Sequence, residues 1–110
     1  MSNYRIDREQ WARLSIFEQL GNIGSEVGRA IQARRSGREE RVDGAIARAL
    51  ELFSATIDCL VGQDHYRLGE VLRARDEFLR LFYDDTFETD ADAIERYFMR
   101  FALAARKGAR

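Results

Sequence analysis

The sequence predicts an all-α protein, a four-helix bundle of up-down-up-down topology with a short extra turn or helix at its N-terminus. Apolar residues recur with the 3.6-residue period of a helix, and no segment keeps the two-residue period of a strand for long. The chain has no proline, which would break a helix interior. Four long segments joined by short connections favour antiparallel neighbours.

Length and composition indicate a single domain over residues 1–110. Hydrophobic residues make up 45% of the chain and charged residues 34%, which is the balance of a globular protein. The formal net charge is −1, so no global field attracts nucleic acid or an anionic membrane.

The features that report on localisation favour the cytoplasm. Cys59 is the only cysteine, which excludes an intramolecular disulfide and suits a reducing compartment. Residues 1–7 contain no apolar core of a signal peptide. No apolar run approaches the roughly 20 residues that cross a bilayer, so we expect no membrane partner.

The first long helix is predicted from Ser15 to Arg35. Ser15 and Glu18 have the spacing of a capping box. In this motif, the side chain of each residue accepts a hydrogen bond from the backbone N–H of the other residue. Gly37 suits the position after the helix, where a left-handed backbone ends it. Trp11 lies off the apolar face, so we expect a separate short turn or helix before Ser15, with Trp11 folded back on the bundle.

The second and third helices are predicted over Arg38–Val61 and His65–Tyr83. The second carries the cleanest apolar stripe of the chain and ends at Gly62. Asp64 has the position and chemistry of an N-cap for the third helix.

An acidic connection, residues 84–92, leads to the fourth helix. We expect Thr89 or Asp90 to cap that helix, which then runs to Arg106. The connection lacks the mid-loop glycine of a calcium-binding EF-hand, so we predict a solvated cap and no metal site there.

Gly21, Gly24 and Gly28 occupy a narrow band of the first long helix. Each glycine in a helix interior costs about 0.5–1 kcal/mol relative to alanine, so a structural or functional gain should offset it. We predict close packing of another helix backbone against this band. Whether that helix belongs to the same chain or to another one stays open at the level of sequence.

Arg75 falls within the apolar arc of the third helix, between Leu68 and Leu79. We predict a buried cation there, and a buried guanidinium requires an acceptor. Asp43 is the nearest candidate acceptor by helical phase. The alternatives are a side chain that reaches the rim of the bundle and an anion site in a cleft.

Arginine supplies 17 of the 18 basic residues. The turn between the first two long helices is surrounded by Arg29, Arg34, Arg35, Arg38 and Arg41, against Glu39 and Glu40. Of these arginines, Arg34, Arg35, Arg38 and Arg41 form the predicted tip. Such a tip could bind the phosphates of a nucleic acid. No aromatic residue is interleaved with these arginines, which disfavours stacking on single-stranded bases.

Met99 and Leu103 lie opposite the core face of the fourth helix and are flanked by Arg96 and Arg100. An apolar strip bordered by arginine is typical of a protein–protein contact. We therefore predict that Met99 and Leu103 form an interface.

No pattern in the sequence indicates a catalytic residue, a cofactor or a metal ligand. The only histidine, His65, cannot supply the histidine motifs of a di-iron bundle. Carboxylates on the first three helices, such as Glu18, Glu26 and Glu51, could hold magnesium, but they lack a paired Glu-x-x-Glu spacing and most of them lie on polar arcs.

The segment Leu14–Arg29, with Arg48–Leu52 and Tyr97–Arg106, resembles a family of short prokaryotic all-α proteins that has no assigned function. The resemblance implies a recurring helical domain and no particular activity. Our leading hypothesis rests on Met99 and Leu103, with the glycine band as a second surface: an interaction module that self-associates or docks on a partner protein. The alternatives are a nucleic-acid-binding accessory protein and an enzyme with a helical carboxylate site.

Overall fold

The computed structural model describes residues 5–108, and the ordered elements in this part of the chain are helices. The protein is all-α. The five helices are α1 (Arg8–Arg13), α2 (Ile16–Arg35), α3 (Glu39–Leu60), α4 (His65–Tyr83) and α5 (Phe87–Arg106). None of them is both long enough and apolar enough to cross a membrane.

The short N-terminal helix α1 packs on α3 and is held there by a buried chain of hydrogen bonds. The indole Nε1–H of Trp11 donates to the hydroxyl of Thr56 at 2.9 Å, and that hydroxyl donates to Oε1 of Gln19 at 2.9 Å. The amide nitrogen of Gln19 donates back to the carbonyl of Trp11 at 3.0 Å. The separate N-terminal helix and the folded-back tryptophan are thus confirmed.

The ends of α2 follow the local chemistry of the sequence. The Ser15 hydroxyl accepts from the Glu18 N–H at 3.1 Å, and the Glu18 carboxylate accepts from the Ser15 N–H at 2.9 Å. The capping box is therefore formed. After Ser36, Gly37 takes a φ of +70°, which ends the helix in a left-handed conformation.

The turn between α3 and α4 is also as predicted. Gly62 has a φ of +76°, and the Asp64 carboxylate accepts from the Arg67 N–H at 2.9 Å. The α4 helix covers His65–Tyr83, the range expected from the sequence.

The fourth long helix begins earlier than predicted, and the cap expected at Thr89 or Asp90 is wrong. The α5 helix starts at Phe87, and Thr86 is its N-cap without a side-chain capping bond. The ring of Phe87 packs 5.8 Å from that of Phe82, measured between centroids. The acidic residues Glu88 and Asp90 therefore lie in the first turn of α5, where the helix dipole favours them.

The core lies among the four long helices. The α2 helix packs against α3 and α5, and α4 packs against the same two helices. Phe53 of α3 stands at the centre, with ring centroids 6.1 Å from Phe78 of α4 and 6.0 Å from Phe98 of α5. Both partners and Phe53 itself are buried, so three helices share one aromatic cluster.

Replacing Thr56 by valine should destabilise the protein by about 1–3 kcal/mol, because it leaves buried groups of Trp11 and Gln19 without a partner. Urea unfolding followed by circular dichroism measures this loss. Thr89→Val makes the same chemical change at an exposed position and should alter stability by less than about 0.5 kcal/mol. Equal effects of the two substitutions would contradict the importance of the buried chain.

Candidate functional site

The glycine band of α2 faces α5 of the same chain. A Cβ atom on Gly24 would lie 2.6 Å from the Cβ of Phe98, and one on Gly21 would lie 3.1 Å from the Cα of Ala102. At Gly28 the nearest atom would be a carboxylate oxygen of Glu95 at 3.9 Å, an ordinary contact. The two helices therefore approach most closely beside Gly21 and Gly24, and the space beside Gly28 is open.

A shallow groove of about 210 Å³ follows this contact along the outside of the protein. Most of its lining residues are small or apolar, and they come from both α2 and α5. Glu95 lies at one end of its α5 side and Arg106 at the other, three helical turns away. Between them the lining includes Gly21, Gly24, Ser25, Gly28, Phe98, Met99 and Ala102.

Met99 and Leu103 are exposed on α5, with 54% and 45% of their surface accessible. Met99 also lines the groove. The other large apolar residues that are exposed in residues 5–108 are Val61, Tyr66 and Tyr83, which lie at or next to helix ends. Met99 and Leu103 are thus distinguished by their position within a helix and beside a groove.

The four arginines of the predicted nucleic-acid tip do not share one surface. Arg34 is partly enclosed, with its guanidinium carbon 5.0 Å from the centroid of the Phe82 ring. Its Nε lies 3.3 Å from the Glu39 carboxylate, without an aligned hydrogen bond. Arg34 therefore belongs to the packing between α2 and α4, where cation–π attraction and an ion pair hold it.

Arg35 joins the end of α2 to the first turns of α5. Its Nη2 donates to Asp92 at 2.6 Å and its Nη1 donates to Glu95 at 3.1 Å. The hydrogen bond to Asp92 raises the pKa of Arg35 above its ordinary value, and Glu95 adds to this effect. Because two carboxylates already occupy this guanidinium, a phosphate would have to compete with them.

Arg38 and Arg41 are exposed and lie on a different side of the turn. They line a groove of about 530 Å³ between α2 and α3, together with Arg29 and Arg48. The structure therefore separates the four arginines of the predicted tip into two pairs. It brings one pair together with Arg29, which the sequence analysis placed near the same turn, and with Arg48, which the sequence analysis did not select.

The buried carboxylate of Glu26 connects those two additional arginines. Arg29 donates to it through Nη1 at 2.8 Å, and Arg48 donates through Nε at 3.1 Å. Glu26 lies on the face of α2 that also carries Gln19 and Ile23, and all three are buried. The helical spacing of Gln19 and Glu26 in an otherwise apolar stripe could have indicated this face from the sequence alone.

Arg75 is partly exposed, so the prediction of a buried cation is wrong. Among the described residues no carboxylate forms an ion pair with Arg75, and Asp43 is exposed on α3. The helical phase of Arg75 is apolar, but its long side chain can cover that surface with methylene groups and keep its charge in water.

The carboxylates considered for magnesium have other partners. Glu18 belongs to the capping box, Glu26 pairs with two arginines, and Glu51 lies 3.3 Å from Arg8. Within residues 5–108 no group of three or more histidine, cysteine, aspartate or glutamate side chains could hold a metal ion.

A further polar contact that the sequence analysis missed joins α4 to α5. The hydroxyl of Tyr97 donates to the Glu70 carboxylate at 2.9 Å, and Arg67 donates to the same carboxylate group at 2.7 Å. Burial raises the pKa of Tyr97 above its ordinary value, and the bond to Glu70 raises it further. Tyr97 therefore stays protonated at neutral pH and acts as a hydrogen-bond donor.

No protein-family model, curated protein or solved structure matches this chain. The function must be inferred from the geometry of its own residues.

Replacing Gly24 by alanine should destabilise the protein by about 1–3 kcal/mol, because its Cβ would overlap Phe98 at the contact between α2 and α5. Gly28→Ala adds the same methyl group four residues later, where there is room, and should stabilise the protein by about 0.5–1 kcal/mol. Thermal unfolding of both variants measures the difference. A Gly24→Ala protein as stable as the Gly28→Ala protein would show that the two helices do not meet this closely.

Proposed function

We propose that this protein is a helical interaction module that forms a homodimer through the α2–α5 face, the surface made by the glycine groove with Met99 and Leu103. The observation that carries the proposal is the position of two exposed apolar side chains, Met99 and Leu103, beside a groove that glycines line. Exposed apolar residues beside a charged rim are typical of interfaces.

The arrangement of the four long helices supports this proposal. Because α2 and α4 each pack against both α3 and α5, we propose an antiparallel up-down-up-down bundle with α1 attached outside. In that arrangement α2 and α5 are neighbours whose shared outer face is free for a second copy.

The charges at the two ends of the groove favour a second copy as the occupant. Glu95 and Arg106 lie eleven residues apart on α5, about 16 Å along the helix. A two-fold axis through the middle of this stretch would place Glu95 of each copy beside Arg106 of the other. Met99 would then face Ala102 of the second copy, a large side chain against a small one. An interface with this symmetry is self-complementary, as isologous dimers require.

The alternative function of nucleic-acid binding through Arg34, Arg35, Arg38 and Arg41 receives less support. Arg34 and Arg35 already have aromatic and carboxylate partners. Only Arg38 and Arg41 lie free on an open surface, and they face another groove.

The double variant Met99→Glu/Leu103→Glu should be monomeric at concentrations where the wild type dimerises, because it replaces apolar contact surface with two carboxylates that would lose their hydration at the interface. Sedimentation velocity across a range of concentrations, centred on the micromolar affinity expected of a small interface, measures the assembly. Val61→Glu/Tyr66→Glu is the matched control, since it places the same two charges at exposed apolar positions elsewhere. A wild type that stays monomeric throughout would overturn self-association and favour a different protein partner.

Exchange of the rim charges tests the symmetry. Glu95→Arg and Arg106→Glu should each weaken the dimer, because each places like charges together across the two-fold axis. The double variant should recover most of the affinity, as in a double-mutant cycle between coupled residues. Unfolding curves control for the loss of the contact between Arg35 and Glu95 within the chain. Weakening that is additive in the double variant would exclude this arrangement.

A further inference from the structure

The groove between the end of α2 and the start of α3 concentrates positive charge in a protein of net charge −1. Its lining includes four arginines and a single acidic residue, Glu40. We call this surface the arginine groove, and its arginines are Arg29, Arg38, Arg41 and Arg48. At about 530 Å³, it can accommodate a small ligand. It lies apart from the α2–α5 face on which dimerisation is proposed.

Two of these arginines, Arg29 and Arg48, are held in place by a buried carboxylate. Glu26 is only 8% exposed and binds Nη1 of Arg29 and Nε of Arg48. A buried carboxylate needs such partners, and in return it restricts the rotamers of both arginines. Their other N–H groups have no hydrogen-bond acceptor among residues 5–108 and are available to a ligand.

Gly44 makes room for Arg48 at the groove. A Cβ atom on Gly44 would lie 3.3 Å from Nη1 of Arg48, so a methyl group there would shift the guanidinium by a few tenths of an ångström and a larger side chain would displace it further. Glycine in the interior of α3 costs about 0.5–1 kcal/mol relative to alanine. A binding role of the Arg48 guanidinium would offset this cost.

Arg38 and Arg41 are placed against the preferences of a helix. They occupy the N-cap and the third position of α3, where the helix dipole disfavours cations, and no side chain caps this end. Both are exposed and form no ion pair within the described residues. Local preferences that are broken without a structural gain are typical of functional sites.

We propose that the arginine groove binds the phosphate group of a small phosphorylated molecule. Guanidinium groups present parallel N–H donors that match two oxygens of a phosphate. Glu26 and Glu40 offset two of the four arginine charges, and the two charges that remain match a doubly charged group. No aromatic residue lines the groove to stack on unpaired bases. Arg34 and Arg35, which would extend the site into a track for a nucleic-acid backbone, are occupied elsewhere. These observations favour a small ligand over RNA.

Isothermal titration calorimetry with pyrophosphate, at low ionic strength, tests the proposal directly. The wild type should bind with saturation, and Arg38→Gln/Arg41→Gln should weaken binding by at least about tenfold, because two charge-assisted contacts are lost. This variant should remain folded, since it removes cations from the positive end of a helix. Arg73→Gln/Arg96→Gln removes the same charge from exposed positions outside the groove and should leave the affinity within about twofold.

A second variant separates shape from charge. Gly44→Leu keeps every arginine and suits a helix, but its side chain would fill the space beside Arg48, so pyrophosphate binding should again weaken by about tenfold or more.

Absence of saturable binding by the wild type up to about 10 mM pyrophosphate would overturn the proposal, since such an affinity is below that of a specific site. Equal losses in the groove and control variants would do the same. A single-stranded RNA that binds far more tightly, with a steep salt dependence and no competition from pyrophosphate, would identify a nucleic-acid surface and reject a small-ligand site.

Discussion

The contact between Gly24 and Phe98 is the constraint on which the arrangement of this protein most depends. Because Gly24 has no side chain, α5 can approach α2 until the Phe98 Cβ lies where another residue would place its own. This approach inserts the Phe98 ring beside Phe53, deep in the core, and it leaves the next residue, Met99, on the outside. It also brings Glu95 within reach of Arg35. The proposed interface is thus a consequence of how closely two helices of one chain are packed.

The α2 helix is unusual in that its two sides meet different kinds of partner. The side towards α5 carries Gly21 and Gly24, where the close approach of the two helices increases dispersion contacts. The side towards α3 carries Gln19 and Glu26, polar groups that are buried and fully engaged. Such polar groups are costly unless they are satisfied, and they specify one register between the helices more strongly than aliphatic packing does. One helix therefore fixes the position of both of its neighbours, by shape on one side and by directional bonds on the other.

Local chemistry explains what could be predicted from the sequence. The hydroxyl of Ser15, the missing Cβ of Gly37 and Gly62, and the carboxylate of Asp64 act on backbone groups only a few residues away, so spacing alone locates those helix ends. The features that were missed or wrong depend on partners distant in sequence. The α5 helix starts early, at Phe87, because the ring of Phe87 packs against that of Phe82. Arg35 pairs with residues that lie almost sixty positions later in the sequence. Helical phase placed Arg75 in an apolar arc, but phase predicts only the direction of a side chain around the helix and not how deeply that side chain is buried. In the candidate sites, the exposure of Met99 could be predicted because this residue opposes the core face of its helix. The contacts of Glu26 and Gly44 could not be predicted, because they depend on arginines that the fold brings to them.

The hydrogen-bonded tryptophan gives this protein an internal optical reporter. Trp11 is the only tryptophan of the chain, and its indole is buried with its N–H bonded to Thr56. Indole emission shifts to longer wavelength when the ring enters water, whereas far-ultraviolet circular dichroism is dominated by the four long helices. The two spectra therefore follow different parts of one molecule. If α1 detaches before the bundle unfolds, fluorescence will change first, and a terminal helix that opens independently would be visible without any label.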